Sequence, residues 1–169
     1  QFPMLLWVFG AVAALCLLTF RSFAATLCIL LPLGLASLLA YALMAWLEIG
    51  LKVGTLPVVA LGVGIGVDYG IYIYSRFAAL RRPGRSLRET YEDALAITGN
   101  GVLFTGLTLG LAVATWVLSS LKFQADMGIL LVFLFVMNMI GAIVLLPALA
   151  HFLVGDPKPG KDPEPKPAR

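Results

Sequence analysis

Charge is the scarcest commodity in this sequence: of 169 residues only 12% are Asp, Glu, Lys or Arg, while 60% are hydrophobic. The mean hydropathy is +0.96. A water-soluble domain of this length has too little interior to hide so much apolar surface, so a soluble globular fold is excluded and a membrane protein is implied. Metal ligands are equally sparse. A single histidine, His151, at the end of an apolar run, reads as an interfacial side chain. The two cysteines, Cys16 and Cys28, both lie within apolar runs and read as small packing residues rather than a disulfide. No cofactor or metal is expected. The net charge of +3 is too small and too clustered to make a nucleic-acid surface.

What the chain has in abundance is long apolar stretches. Five are long enough for a bilayer core of about 30 Å, which needs roughly 20 helical residues. They fall at about 3–20, 23–47, 55–77, 98–119 and 127–153. Helix is the only assignment that satisfies backbone amides in lipid, so the fold class is an all-α membrane bundle of five transmembrane helices over residues 1–153. Ten of the twelve basic residues lie at Arg21, between Arg76 and Arg88, or from Lys158 onwards. These regions share one side of a five-helix path, and the other two connections carry only Lys52 and Lys122. The positive-inside rule then makes the C-terminus cytoplasmic and brings the first helix in from outside. An odd number of spans with an external N-terminus, in a chain that opens at Gln1 with no basic n-region or cleavage signal, predicts a piece of a longer protein.

Between the third and fourth runs, residues 86–97 read as a short cytoplasmic amphipathic helix. Ser86 and Glu89 have capping-box spacing, and Leu87, Tyr91, Ala94, Leu95 and Thr98 share a face. Residues 154–169, with five prolines and alternating charges, are expected to form a disordered cytoplasmic tail.

Against this background "ALGVGIGVDYGIYIY", residues 60–74, stands out because Asp68 is the fourteenth residue of a run of about 23. A carboxylate near mid-membrane costs at least about 2.5–3.5 kcal/mol, which marks an ion or proton pathway or a buried charge partner. No other run contains a basic residue to pair with it. At 100° per residue, Gly62, Gly66 and Gly70 form one stripe, a small-xxx-small pattern that admits a neighbouring backbone and offers a place for helices to slide. Gly64, Asp68 and Tyr72 form another, roughly opposite. The glycines Gly62, Gly64, Gly66 and Gly70 are thus assigned to helix packing, with Gly64 also leaving a gap above the carboxylate. Tyr69 and Tyr72 are within reach of the carboxylate or its partner. Thr105 and Thr108, on a hydroxyl-rich stripe of the fourth run, and Asn138, midway along the fifth, either line the path or serve ordinary helix packing. An intramembrane aspartyl protease is a poor fit, since Gly64 to Asp68 has one residue too many for its Gly-x-Gly-Asp sequence. A second acid at membrane depth is also lacking. No enzyme activity is expected.

"GVGIGVDYGIYIYSRF", the arginine-rich segment after it, "TGNGVLFTGLTLGLAVATW" and "FQADMGILLVF…LLPAL", in this order, resemble the membrane domain of resistance-nodulation-division (RND) exporters, closest to the MMPL-like, hydrophobe-exporting branch. The resemblance spans about residues 3–153 and implies half of a twelve-helix domain, with these runs as helices eight to twelve. It implies that Asp68 and Tyr69 are an Asp-Tyr pair of a proton relay, facing a similar pair on helix four of the preceding half. It implies export driven by the proton gradient, lipid-like or other hydrophobic cargo, periplasmic domains outside this segment, and the bacterial inner membrane. Two relatives of that fold offer other functions: an auxiliary subunit of protein translocation of the SecD and SecF type, and a sterol-sensing-like lipid-binding module. Cargo and oligomeric state have no signature in these residues.

Overall fold

A computed structural model describes residues 2–49, 56–81 and 86–154 of the chain. The expected tail and the basic residues Lys52, Arg82 and Arg85 lie outside the described residues. The described residues are helical apart from short turns, with no strand among them. Helix α1 spans Phe2–Phe20, α2 Phe23–Trp46, α3 Leu56–Leu80 and α4 Leu87–Ala114, which tightens into a 3-10 turn at Thr115–Leu118. The last rod is α5, Lys122–Ile140, running through a π-helical turn at Gly141–Leu145 into α6, Leu146–Val154. Four of these five rods are long and apolar enough to cross a membrane, while the apolar stretch of α1, Leu5–Phe20, is shorter.

Local chemistry sets most of the boundaries. Only Arg21 and Ser22 separate α1 from α2, a reversal that Arg21 permits by adopting a positive φ of 48°. Ser22 caps α2, its hydroxyl accepting from the Ala25 N–H at 3.5 Å. Ser86 caps α4 in the same way, accepting from the Glu89 N–H at 3.2 Å. Pro57 sits in the first turn of α3, where its missing N–H leaves no bond unmade. Pro147 comes two residues after the last residue of the π turn, Leu145. A proline crowds the carbonyl four residues back and donates nothing to it, and the widened turn over that carbonyl, Ile143, absorbs the misfit.

Residues 86–97 do not form a helix of their own. They are the opening turns of α4, because the buried stripe Leu87, Tyr91, Ala94 and Thr98 continues at the same spacing through Val102, Gly106 and Gly110. With no break in the stripe there is no reason for the helix to end. The polar end of the expected fourth run also differs: Ser119 lies beyond the helix, its hydroxyl donating to Gln124 Oε1 at 3.0 Å.

Helix α3 touches α1, α2, α4 and α5, so the residues it carries are placed by every other long helix. Its glycine face is the tight one. A Cβ on Gly62 would come 2.6 Å from Leu134 Cδ1, and one on Gly70 would come 2.9 Å from Ile29 Cγ2. A Cβ on Gly66 would run into the Asn138 amide and come 2.7 Å from Leu33 Cδ1. These neighbours all belong to α2 and α5 of this same chain, so side chains interlock along this face and hold α3 in register. At Gly64, by contrast, a Cβ would meet nothing within 4 Å. The partly opposite wall of the bundle is bare: 17% of the apolar window of α4 is buried, against 44, 56 and 50% in α2, α3 and the α5–α6 rod.

Candidate functional site

Asp68 projects from the bare side of α3, not into the bundle. It is exposed, and no basic side chain pairs with it among the described residues. Because α3 and α4 run antiparallel, their rows meet in reverse order, and a recess of about 260 Å³ forms where Asp68, Tyr69 and Tyr72 face Gly101, Val102 and Thr105. Tyr69 is only 4% exposed, and its buried hydroxyl has no hydrogen-bond partner among the described residues. A buried phenol with an unmade bond beside an unpaired carboxylate is a costly arrangement in the chain alone, and water or a polar group brought from outside would satisfy it.

The other wall of the recess offers acceptors. Thr105 Oγ1 donates its proton to Gly101 O at 2.8 Å, which leaves the oxygen lone pairs to serve water in the recess. Thr108 donates likewise to Phe104 O at 2.7 Å but does not line the recess. Tyr72 is 56% exposed and lies over Gly101, where an added Cβ would come 3.9 Å from its ring.

Asn138 is held elsewhere. Its Nδ2 donates to Gly62 O at 2.8 Å on the glycine face, and its Oδ1 is buried without a partner. The structure therefore gathers Asp68, Tyr69, Tyr72 and Thr105 at one site and sets Asn138 against the other side of α3. Gly101 and Val102 complete the lining. Gly101 stands on the hydroxyl-rich stripe of α4 and is legible there, but Val102 carries no polar signal and is found only from the packing. No cluster of three metal-ligating side chains occurs among the described residues.

A recess of about 750 Å³ between α1 and α2 is lined almost wholly by aliphatic and aromatic side chains, with Tyr41 as its titratable group. It shares no lining residue with the Asp68 recess.

Three comparisons place the chain among known proteins. A profile of the MMPL family matches residues 4–165. A membrane protein of Methanocaldococcus jannaschii, MJ1562, is 32% identical over 120 residues, which is 71% of this chain and 31% of that protein. A membrane protein of Streptomyces coelicolor, SCO6666, is 34% identical over 101 residues, 60% of this chain and 14% of the relative. Membrane protein YdfJ of Bacillus subtilis is 26% identical over 89 residues, 53% of this chain and 12% of the relative. The chain thus spans about a third or less of the length of these proteins. No solved structure matches.

Proposed function

The chain belongs to the MMPL family, a family of membrane transporters, and on that premise we propose that it is the C-terminal membrane half of a proton-driven, RND-type exporter in the cytoplasmic membrane. The observation that carries this reading is the bare recess at Asp68: a carboxylate deep in a membrane helix with no basic partner among the described residues, beside a buried tyrosine hydroxyl with no hydrogen-bond partner among them, next to the sparsely buried helix α4. A second half of similar design, docked on α3 and α4, supplies both the missing cover and the polar partners. Asp68 then takes up a proton from one side of the membrane and releases it to the other, with Tyr69 holding the carboxyl in its two protonation states.

One charge crossing 100 mV yields about 2.3 kcal/mol, which shifts a two-state equilibrium roughly 50-fold. That suffices to rock one half against the other. The interlocked glycine face supports movement at the uncovered wall, with α3 keyed to α2 and α5. The family match favours a lipid-like or other hydrophobic cargo over a polypeptide.

The test is made in the full-length protein, reconstituted in vesicles carrying a fluorescent phospholipid and an imposed pH gradient. Asp68→Asn is expected to abolish gradient-driven movement of the probe while the protein still assembles. Undiminished movement would refute the relay.

A further inference from the structure

The recess at Asp68 does not end at Tyr72. A second recess, about 520 Å³, continues the groove between α3 and α4 and is lined by Ser75, Arg76, Ala79, Ile97 and Thr98. Tyr72 lines both. The order follows from antiparallel packing: moving along α3 from Asp68 through Tyr72 to Ser75 and Ala79 is moving back along α4 from Thr105 through Gly101 to Thr98. The second recess therefore leads from the carboxylate to the α3–α4 connection, the end of the bundle that bears Arg76, Arg81 and Arg88.

We propose that this groove is the water path through which Asp68 exchanges protons with the arginine-rich side of the membrane, and that the Tyr72 side chain is the partition between that water and the relay. This rests on the reading of Asp68 as a proton carrier and adds the route and the residue that controls it.

Three features support it. The outer lining mixes Ser75, Arg76 and Thr98 with Ala79 and Ile97, whereas Phe104, Leu107 and Leu111 on the neighbouring outward surface of α4 are apolar. The outer recess is also roomy, since a water occupies about 30 Å³ and needs two to four polar partners. Ser75, whose Oγ donates to Tyr72 O at 3.0 Å, and Thr98, which donates to Ala94 O, both keep acceptor lone pairs for such waters. A guanidinium does not titrate, so Arg76 hydrates the mouth without trapping the proton.

At the inner end the buried Tyr69 hydroxyl has no hydrogen-bond partner among the described residues and keeps its donor and acceptor capacity. Between the two stands Tyr72, one turn from Asp68. It is 56% exposed, and its ring faces Gly101, which brings no side chain against it. Rotation of that one side chain joins the two recesses, and its return parts them.

Thiol accessibility tests the path without requiring transport. In the full-length protein, Cys16 and Cys28, both fully buried, are replaced by alanine, and single cysteines are introduced as Ala79→Cys, Ser75→Cys and Thr105→Cys. Phe104→Cys, at a position 70% exposed on the apolar outer face of α4 and away from the groove, is the control. The probe is a membrane-impermeant cationic methanethiosulfonate, which reacts only with a hydrated thiolate.

From the arginine-rich side, Ala79→Cys and Ser75→Cys are expected to react at least 10-fold faster than Phe104→Cys. Thr105→Cys is expected to react slowly, to speed up at least 10-fold when combined with Tyr72→Ala, and to stay slow with Tyr72→Phe, which keeps the ring. The path is overturned if Ser75→Cys reacts no faster than the control or only from the opposite side. The partition is overturned if Tyr72→Ala leaves the Thr105→Cys rate unchanged. Full reaction of every thiol after unfolding in dodecyl sulfate, and elution of each variant at the parental size beforehand, separate these results from misfolding. The two proposals fail separately. Loss of transport in Asp68→Asn with inert groove thiols refutes the path alone, and intact transport in Asp68→Asn with reactive groove thiols refutes the relay alone.

Discussion

Gly66→Ala is the substitution in which the packing of α3 is most exposed to measurement. The added methyl falls on the Asn138 side-chain amide, 2.5 Å from its Cγ, and 2.7 Å from Leu33 Cδ1. Two partners on two different helices obstruct it at once, so neither rotation nor a small helix shift relieves both. Overpacking of this kind costs about 1–3 kcal/mol. Driving Asn138 aside also breaks the 2.8 Å bond from its Nδ2 to Gly62 O. An interhelical hydrogen bond in a membrane is worth about 0.6–1.7 kcal/mol. Alanine recovers about 0.5–1 kcal/mol of helix propensity over glycine. The net expectation is a loss of about 1–4 kcal/mol, with the steric part the larger.

The assay is equilibrium unfolding of the full-length protein in mixed detergent and dodecyl sulfate. Gly10→Ala, where nothing lies within 4 Å of the new methyl, serves as the control and should be neutral or slightly stabilising. Adding Asn138→Ala to Gly66→Ala removes the larger obstruction, so the two substitutions should show a coupling of about 1 kcal/mol or more in a double-mutant cycle. If Gly66→Ala behaves like Gly10→Ala, or Asn138→Ala gives no relief, the interlocked glycine face is refuted.

Other substitutions test the remaining parts of the fold and site. Gly106→Ala places its methyl 2.5 Å from Met139 Sδ, but an unbranched thioether swings away, so its cost should stay below about 1 kcal/mol in the same assay. Phe77, 1% exposed and stacked at 4.2 Å on Tyr91, should cost about 3–5 kcal/mol when cut to alanine. Tyr91→Phe should be neutral or stabilising, because the hydroxyl it removes is buried without a partner and its desolvation is a standing cost. Asn138→Ala should lower the unfolding midpoint yet leave the pH profile of transport unmoved, since Asn138 stands apart from the Asp68 recess; a shifted profile would place it in the relay.

Much was legible from local pattern. Hydropathy and the need to satisfy backbone amides dictate an all-helical membrane fold, and the stretch around Asp68 announces its own cost. The 100° step of a helix sets Gly62, Gly66 and Gly70 apart from Gly64, Asp68 and Tyr72, whatever lies outside them. The family resemblance, too, rests on short motifs and their order along the chain. Less legible was the continuity of α4, because an amphipathic charged segment and an apolar one look like two elements until their buried stripes are seen to be in phase.

Other features were settled only by how the helices are arranged. Asn138 and Thr105 are both polar groups midway along apolar runs, and nothing in their own segments distinguishes them. The crossing of α5 over the glycine face gives Asn138 the Gly62 carbonyl as its partner. The antiparallel pairing of α4 with α3 brings Thr105 to Asp68 and extends the groove past Tyr72 to Ser75 and Thr98. The face on which a residue stands is fixed by the period of its own helix. The neighbour it meets there depends on which helices can approach closely enough to fill that face, and close approach is decided by side chains far apart in the chain.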